Sequence, residues 1–160
     1  MSATKVRHRA PGSIPDAKSA TKNPHDTPAC PEAQGCLRCA VVKLLFENLP
    51  PSLEPHREAL RQCLEAMDRA LPLRRVLLFG SHARGEAGPD SDVDLCLIAD
   101  GAEKQVAVGT RCYSALWGIW PRPGLTLVPI TPQRLAEKKA VDDHFFHTVI
   151  KEGVAIATQD

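Results

Sequence analysis

Residues 77–100 of the chain read LLFGSHARGEAGPDSDVDLCLIAD. Two short apolar runs, residues 76–79 and 93–98, enclose a connection rich in Gly, Ser, Pro and Asp. The segment therefore reads as strand, glycine turn, short helix, strand. Gly80 allows the backbone to approach a phosphate with no Cβ in the way. Ser81 adds a hydroxyl beside the amides of the helix start, where partial positive charge favours anions. Ten residues separate Ser81 from Asp92, and Asp92-Val93-Asp94 opens the second strand. Side chains alternate along a strand, so Asp92 and Asp94 point to one face, about 6–7 Å apart along the backbone. Carboxylates so placed can hold Mg²⁺, which takes oxygen ligands and leaves positions for water and phosphate. An isolated Asp-x-Asp would read as a solvated turn, but this one begins an apolar strand and is tied by its loop to a Gly-Ser turn.

Working outward, residues 52–75 contain Ser52 as a candidate N-cap and Leu53, Leu60, Leu64, Met67 and Leu71 as one helical stripe leading into the first strand. Before it, residues 37–49 predict a mostly apolar helix stopped by Pro50-Pro51. Beyond the central stretch, Val106, Tyr113, Leu116 and Trp117 mark a third helix and residues 125–130 a third strand. Residues 132–139 predict a short helix, 143–152 another that stops at Gly153, and 154–157 a final strand. Such alternation predicts an α/β sandwich with a small mixed sheet flanked by helices. The expected organisation is a disordered tail over 1–35, an apolar helix and Pro-Pro linker over 36–52, and a globular domain over 53–160. The tail is rich in Pro, Ser, Thr, Ala and Lys and has almost no large apolar side chain, so it cannot bury enough surface to offset chain entropy.

At 160 residues, with 43% hydrophobic content and a formal net charge of +1, the chain has room for a single core and no charge bias toward nucleic acid or membrane. No apolar stretch approaches bilayer-spanning length. Lys5, Arg7 and Arg9 are not followed by an apolar run, so no secretory signal is read and a cytoplasmic location is expected.

At Gly80, Ser81, Asp92 and Asp94 the chain resembles the nucleotidyltransferases of the DNA polymerase β superfamily, and within them the minimal nucleotidyltransferase (MNT) group. The family's GSx10DxD signature falls on those four residues, and the Arg-Gly that commonly follows the serine is Arg84-Gly85. The resemblance runs from Leu53 to the C-terminus. It implies a polymerase-β-like nucleotidyltransferase sandwich that transfers a nucleoside monophosphate, with ATP the expected donor, to a hydroxyl and releases pyrophosphate. Asp92 and Asp94 would hold Mg²⁺, with Gly80, Ser81 and Arg84 on the phosphates. Many MNT proteins are antitoxins that pair with a HEPN ribonuclease and adenylylate it, so a HEPN-type toxin is the implied partner.

One departure concerns the family's third carboxylate, which comes from a later strand as apolar-Asp-apolar ahead of a Pro/Thr-containing turn. Here that stretch is Leu125-Thr126-Leu127-Val128-Pro129-Ile130-Thr131. Thr126 stands where the aspartate would be. A neutral hydroxyl can hold a water on the metal but cannot serve well as a base. Two readings follow: an adenylyltransferase acting on a partner protein, or a catalytically weakened MNT-fold module that neutralises its partner by contact alone. Asp100 lies about 20 Å further along an extended chain, and Asp142 and Asp143 read as caps of the next helix.

Cys30, Cys36 and Cys39 cluster at the end of the tail, with Cys36 and Cys39 in a CxxC and His25 as a conceivable fourth zinc ligand. No second CxxC follows, and Cys39 could simply pack in the apolar helix, so the sequence leaves zinc binding open. Cys63, Cys96 and Cys112 occupy apolar positions and read as buried thiols. His82 lies within the signature loop, where it could contact phosphate or base or be a loop histidine without a role. His144 and His147 read as packing or surface residues, and Trp117 and Trp120 as core or as a partner interface.

Overall fold

A computed structural model describes residues 42–159 of the protein. Residues 1–41 and 160, which include the tail, Cys30, Cys36, Cys39 and His25, lie outside the described residues. A five-stranded mixed sheet forms the centre, in the order β1-β5-β2-β3-β4. β1 (Lys43–Leu44) is followed by α1 (Arg57–Ala70), β2 (Leu73–Phe79), α2 (Gly80–Arg84), β3 (Val93–Ala99) and α3 (Gln105–Ala115). β4 (Leu125–Ile130), α4 (Pro132–Ala140), α5 (His144–Glu152) and β5 (Val154–Thr158) complete the chain. Only the β3–β4 pair is parallel; β1–β5, β2–β3 and β2–β5 are antiparallel.

The sheet is covered on both faces, which is why its central strands read as nearly unbroken apolar runs. Val76 and Leu78 of β2 and Val93, Leu95 and Leu97 of β3 face α1 and α3, where Leu60, Leu64, Met67, Val108 and Cys112 complete one core. Leu77, Cys96, Ile98 and Ile130 face the other way and pack with Phe146 and Val149 of α5. The expected stripe Leu53, Leu60, Leu64, Met67 and Leu71 is buried throughout. Among the described residues no helix is long and apolar enough to cross a membrane.

Three local expectations are corrected. The described part of the expected helix over 37–49 is instead β1 and a 3-10 turn at Phe46–Asn48. Leu45 N donates to Ile156 O at 2.8 Å, so this segment pairs along the edge of β5 that a helix would have left bare. Ser52 does not cap the second helix. It lies in a 3-10 segment, Pro51–His56, and α1 begins at Arg57; Pro55 within that segment cannot donate to an α ladder. On α3 the buried stripe is Val108, Cys112 and Leu116, whereas Val106 and Trp117 are 87% and 93% exposed. Trp120 is 85% exposed, so neither tryptophan is a core residue.

Candidate active site

The end of the sheet where β2 and β4 meet β3 is shaped by two facts of register. Phe79, the last residue of β2, is the Cα partner of Asp94, and Thr126 of β4 is its partner on the other side. Side chains in register share a face, so Phe79, Asp94 and Thr126 form one row across three strands. That row continues the Leu77, Cys96 and Ile98 side of the sheet, just beyond the apolar contacts of α5. Asp92 precedes β3 by one residue and has the same parity. Thr126 is exposed and Asp94 half-buried, so the threonine faces outward beside the Asp pair as its strand position predicts.

Two glycines make room for the two carboxylates. Gly80 has φ +72° and lies against Asp94 so closely that a Cβ would overlap its carboxylate oxygen. Gly124, immediately before β4, stands in the same relation to Asp92. Its carbonyl accepts from Val93 N at 2.8 Å, which fixes that close approach. Neither carboxylate receives a hydrogen bond or ion pair among the described residues, and the Ser81 hydroxyl is likewise without a partner. The sequence singled out Gly80 but not Gly124, which sits in a Pro-rich loop 32 residues beyond Asp92 and carries no local signal of its role.

His82 is engaged within the fold. It is buried, its Nε2 lies 3.3 Å from the Ser91 carbonyl and its Nδ1 3.1 Å from Ser52 Oγ. A carbonyl can only accept, so Nε2 carries the proton and Nδ1 accepts from the Ser52 hydroxyl. The ring thus ties α2 to the loop before Asp92 and to the segment before α1. Arg84 is engaged by Glu86 at 2.7 Å and Glu152 at 3.3 Å. Its hydrogen bond to Glu86, then that to Glu152, hold its pKa above the ordinary value. Its Nε and Nη1 are taken by these acids, so a phosphate would meet Nη2 or displace one of them. Asp143 caps α5 by accepting from Phe146 N, and Asp100 pairs with Arg74 at 2.7 Å, so neither is available at the site. His144 and His147 are exposed.

The donor set is two carboxylates and a hydroxyl. No group of three or more His, Cys, Asp and Glu capable of holding a metal occurs among the described residues. Two unpaired carboxylates against glycine backbone still fit one hard cation that completes its shell with water and phosphate oxygens. A cavity of about 280 Å³ opens beside Asp92, lined in part by Ser52, His56, His82, Pro123 and Gly124. A larger one, about 430 Å³, touches Arg74, Leu77, Ile98 and Leu135 but none of the signature residues, so size does not locate the chemistry here.

The family model of the nucleotidyltransferase domain matches residues 60–151, more than half of the chain. The chain belongs to that family. Its sheet and helices are the polymerase-β-like nucleotidyltransferase fold, and nucleotidyltransferase domains generally use a divalent metal and a nucleoside triphosphate. A solved structure described as a candidate nucleotidyltransferase from Sulfolobus solfataricus is similar at 21% identity, over 56% of this chain and 76% of its own, with a TM-score of 0.42. No curated protein matches the chain. The match begins within α1 and ends within α5, so it takes in Gly80, Ser81, Asp92, Asp94, Gly124 and Thr126 together.

Proposed function

We propose that this nucleotidyltransferase-family protein binds a nucleoside triphosphate, ATP foremost, with one Mg²⁺, and transfers AMP to a hydroxyl of a partner protein. The observation that carries the proposal is the pair of glycine cradles, Gly80 against Asp94 and Gly124 against Asp92. Backbone without side chains lets both unpartnered carboxylates settle at the same end of the sheet, where they can meet one ion. Asp92 and Asp94 would hold Mg²⁺, which when bound would neutralise phosphate charge and polarise the phosphorus under attack. Ser81, with its free hydroxyl at the start of α2, would orient a phosphate oxygen. Calorimetry tests the site: ATP should bind only with Mg²⁺ present, and Asp92→Ala/Asp94→Ala should abolish binding. Unchanged affinity in that double variant would remove the assignment.

The acceptor is proposed to be a protein because the surface of α3 suits one. Val106, Tyr113 and Trp117 lie on one stripe at i, i+7 and i+11, and Trp120 follows. Exposed aromatic side chains in such a group are typical interface anchors. Residues 104–124 also contain Lys104, Arg111 and Arg122 and no Asp or Glu, so an acidic surface would complement them. Resemblance to the MNT group makes a HEPN-type ribonuclease the partner of choice, with this chain as its antitoxin.

A second reading is favoured by Thr126. Its strand position is directly beside Asp94, where the family has a carboxylate, so no base is placed to take the proton of an attacking hydroxyl. On that reading the nucleotide is bound and the partner is neutralised by contact. Transfer of radiolabelled AMP to the purified partner separates the two.

A further inference from the structure

We infer that Phe145, in the first turn of α5, is the platform on which the base of the bound nucleotide stacks; the inference rests on the nucleotide-binding reading above. Phe79 is in register with Asp94 and on the same face of the sheet. The Phe145 ring meets the Phe79 ring edge to face, with centroids 5.7 Å apart and planes at 90°. It also meets the Phe146 ring at near right angles, with centroids 5.1 Å apart and planes at 86°. Phe146 is buried, yet Phe145 is 46% exposed. A large apolar ring held by two aromatic neighbours and left bare on its remaining surface is already ordered for stacking.

Its place relative to the metal site matches the length of a nucleotide. A cross-strand pair brings Cβ atoms to about 4.5–5.5 Å, and Phe145 lies one further ring separation beyond Phe79. That puts it on the order of 10 Å from the Asp94 side chain, a separation that a ribose can bridge between metal-bound phosphate and base. A phenyl ring has no donor or acceptor, so it distinguishes bases only by the size of their faces. Purine nucleotides should therefore bind more tightly than pyrimidine nucleotides, with ATP and GTP nearly equal.

The test is calorimetry on the full chain with Mg²⁺ complexes of ATP, GTP, UTP and inorganic tripolyphosphate, using wild type, Phe145→Ala and Phe145→Trp. Phe145→Ala should weaken ATP and GTP by about tenfold, UTP by less, and tripolyphosphate not at all. Phe145→Trp should restore nucleotide affinity, and its added fluorescence should be quenched by ATP but not by tripolyphosphate. Thermal midpoints of both variants show that they fold. Unchanged ATP affinity in Phe145→Ala, or an equal loss for tripolyphosphate, would overturn stacking while leaving the phosphate and metal site in place. A wild-type protein that binds neither ATP nor tripolyphosphate would overturn the nucleotide-binding reading and this inference with it.

Discussion

Replacing Thr126 by aspartate would restore the acidic group that the strand register places next to Asp94. The two residues are Cα partners in a parallel ladder, on strands about 4.8 Å apart, so the new carboxylate would stand within reach of an ion on Asp92 and Asp94. A positioned general base is worth about 10²–10⁴ in rate, and AMP transfer by Thr126→Asp should exceed wild type by a factor in that range. The same change should destabilise the metal-free protein. At about 5 Å, like charges repel by about 1–3 kcal/mol for effective dielectrics between those of protein surface and water. Mg²⁺ should therefore raise the thermal midpoint of Thr126→Asp more than that of wild type. Transfer is measured with α-labelled ATP and purified partner, stability by thermal melts with and without Mg²⁺. Equal rates in variant and wild type would refute the placement of Thr126, and fast wild-type transfer would show that another group supplies the base.

The glycine cradles separate two effects. Gly124→Ala should push the Asp92 carboxylate aside and lower Mg²⁺ affinity while leaving the melting temperature near that of wild type; Gly80→Ala should lower both, since a non-glycine residue at φ +72° costs about 1–2 kcal/mol more. His82→Ala should lose about 1–3 kcal/mol in denaturant titration, because the Ser91 carbonyl and the Ser52 hydroxyl lose their shared partner. For Asp143, the hydrogen bond from Lys138, followed by that from Phe146 N, holds the carboxyl below its ordinary value of 3.8. A depressed folded-state pKa contributes stability above the unfolded value and loses it as pH falls through the folded one. The gap in melting temperature between wild type and Asp143→Ala should accordingly be constant at neutral pH and shrink below about pH 4. A gap that widened on acidification would show that Asp143 does not cap α5 as a carboxylate. Burial pushes the Cys96 thiol up to about 12, so Cys96 should resist alkylation at neutral pH until the domain is unfolded.

What the sequence made legible was set by how local each signal is. β4 was expected at residues 125–130 and spans Leu125–Ile130, because Thr131 and Pro132 mark its end chemically. Thr131 then caps α4 by accepting from Arg134 N. The placing of Thr126 beside Asp94 was expected from the family resemblance, with strand parity setting only which face its side chain takes. β1 was missed because its pairing partner, β5, lies more than 100 residues away, and nothing in residues 42–49 shows that an open edge awaits them. The buried face of α3 was misjudged for a different reason. Two apolar stripes compete on that helix, and only the α1 side chains opposite decide for Val108 and Cys112 over Val106 and Trp117. His82 and Gly124 share this limit, since their roles are contacts with segments distant in sequence.

On the proposed function, binding and transfer are separable because different parts of the fold would carry them. Asp92 and Asp94 are fixed by β3, by the turn at Gly80 and by the loop at Gly124, and the His82 bridge restrains the loop that leads to them. Displacing any of these disturbs the packed sheet or its connections. Thr126 is on an edge strand, points to solvent and supports no core contact. A carboxylate there could be lost without cost to folding, and its loss would even relieve repulsion with Asp94. A chain selected for contact with its partner would keep the first group, which shapes the surface, and could let the third acid drift to threonine. A chain selected for turnover could not. The rate difference between wild type and Thr126→Asp thus measures which of the two demands has shaped this protein.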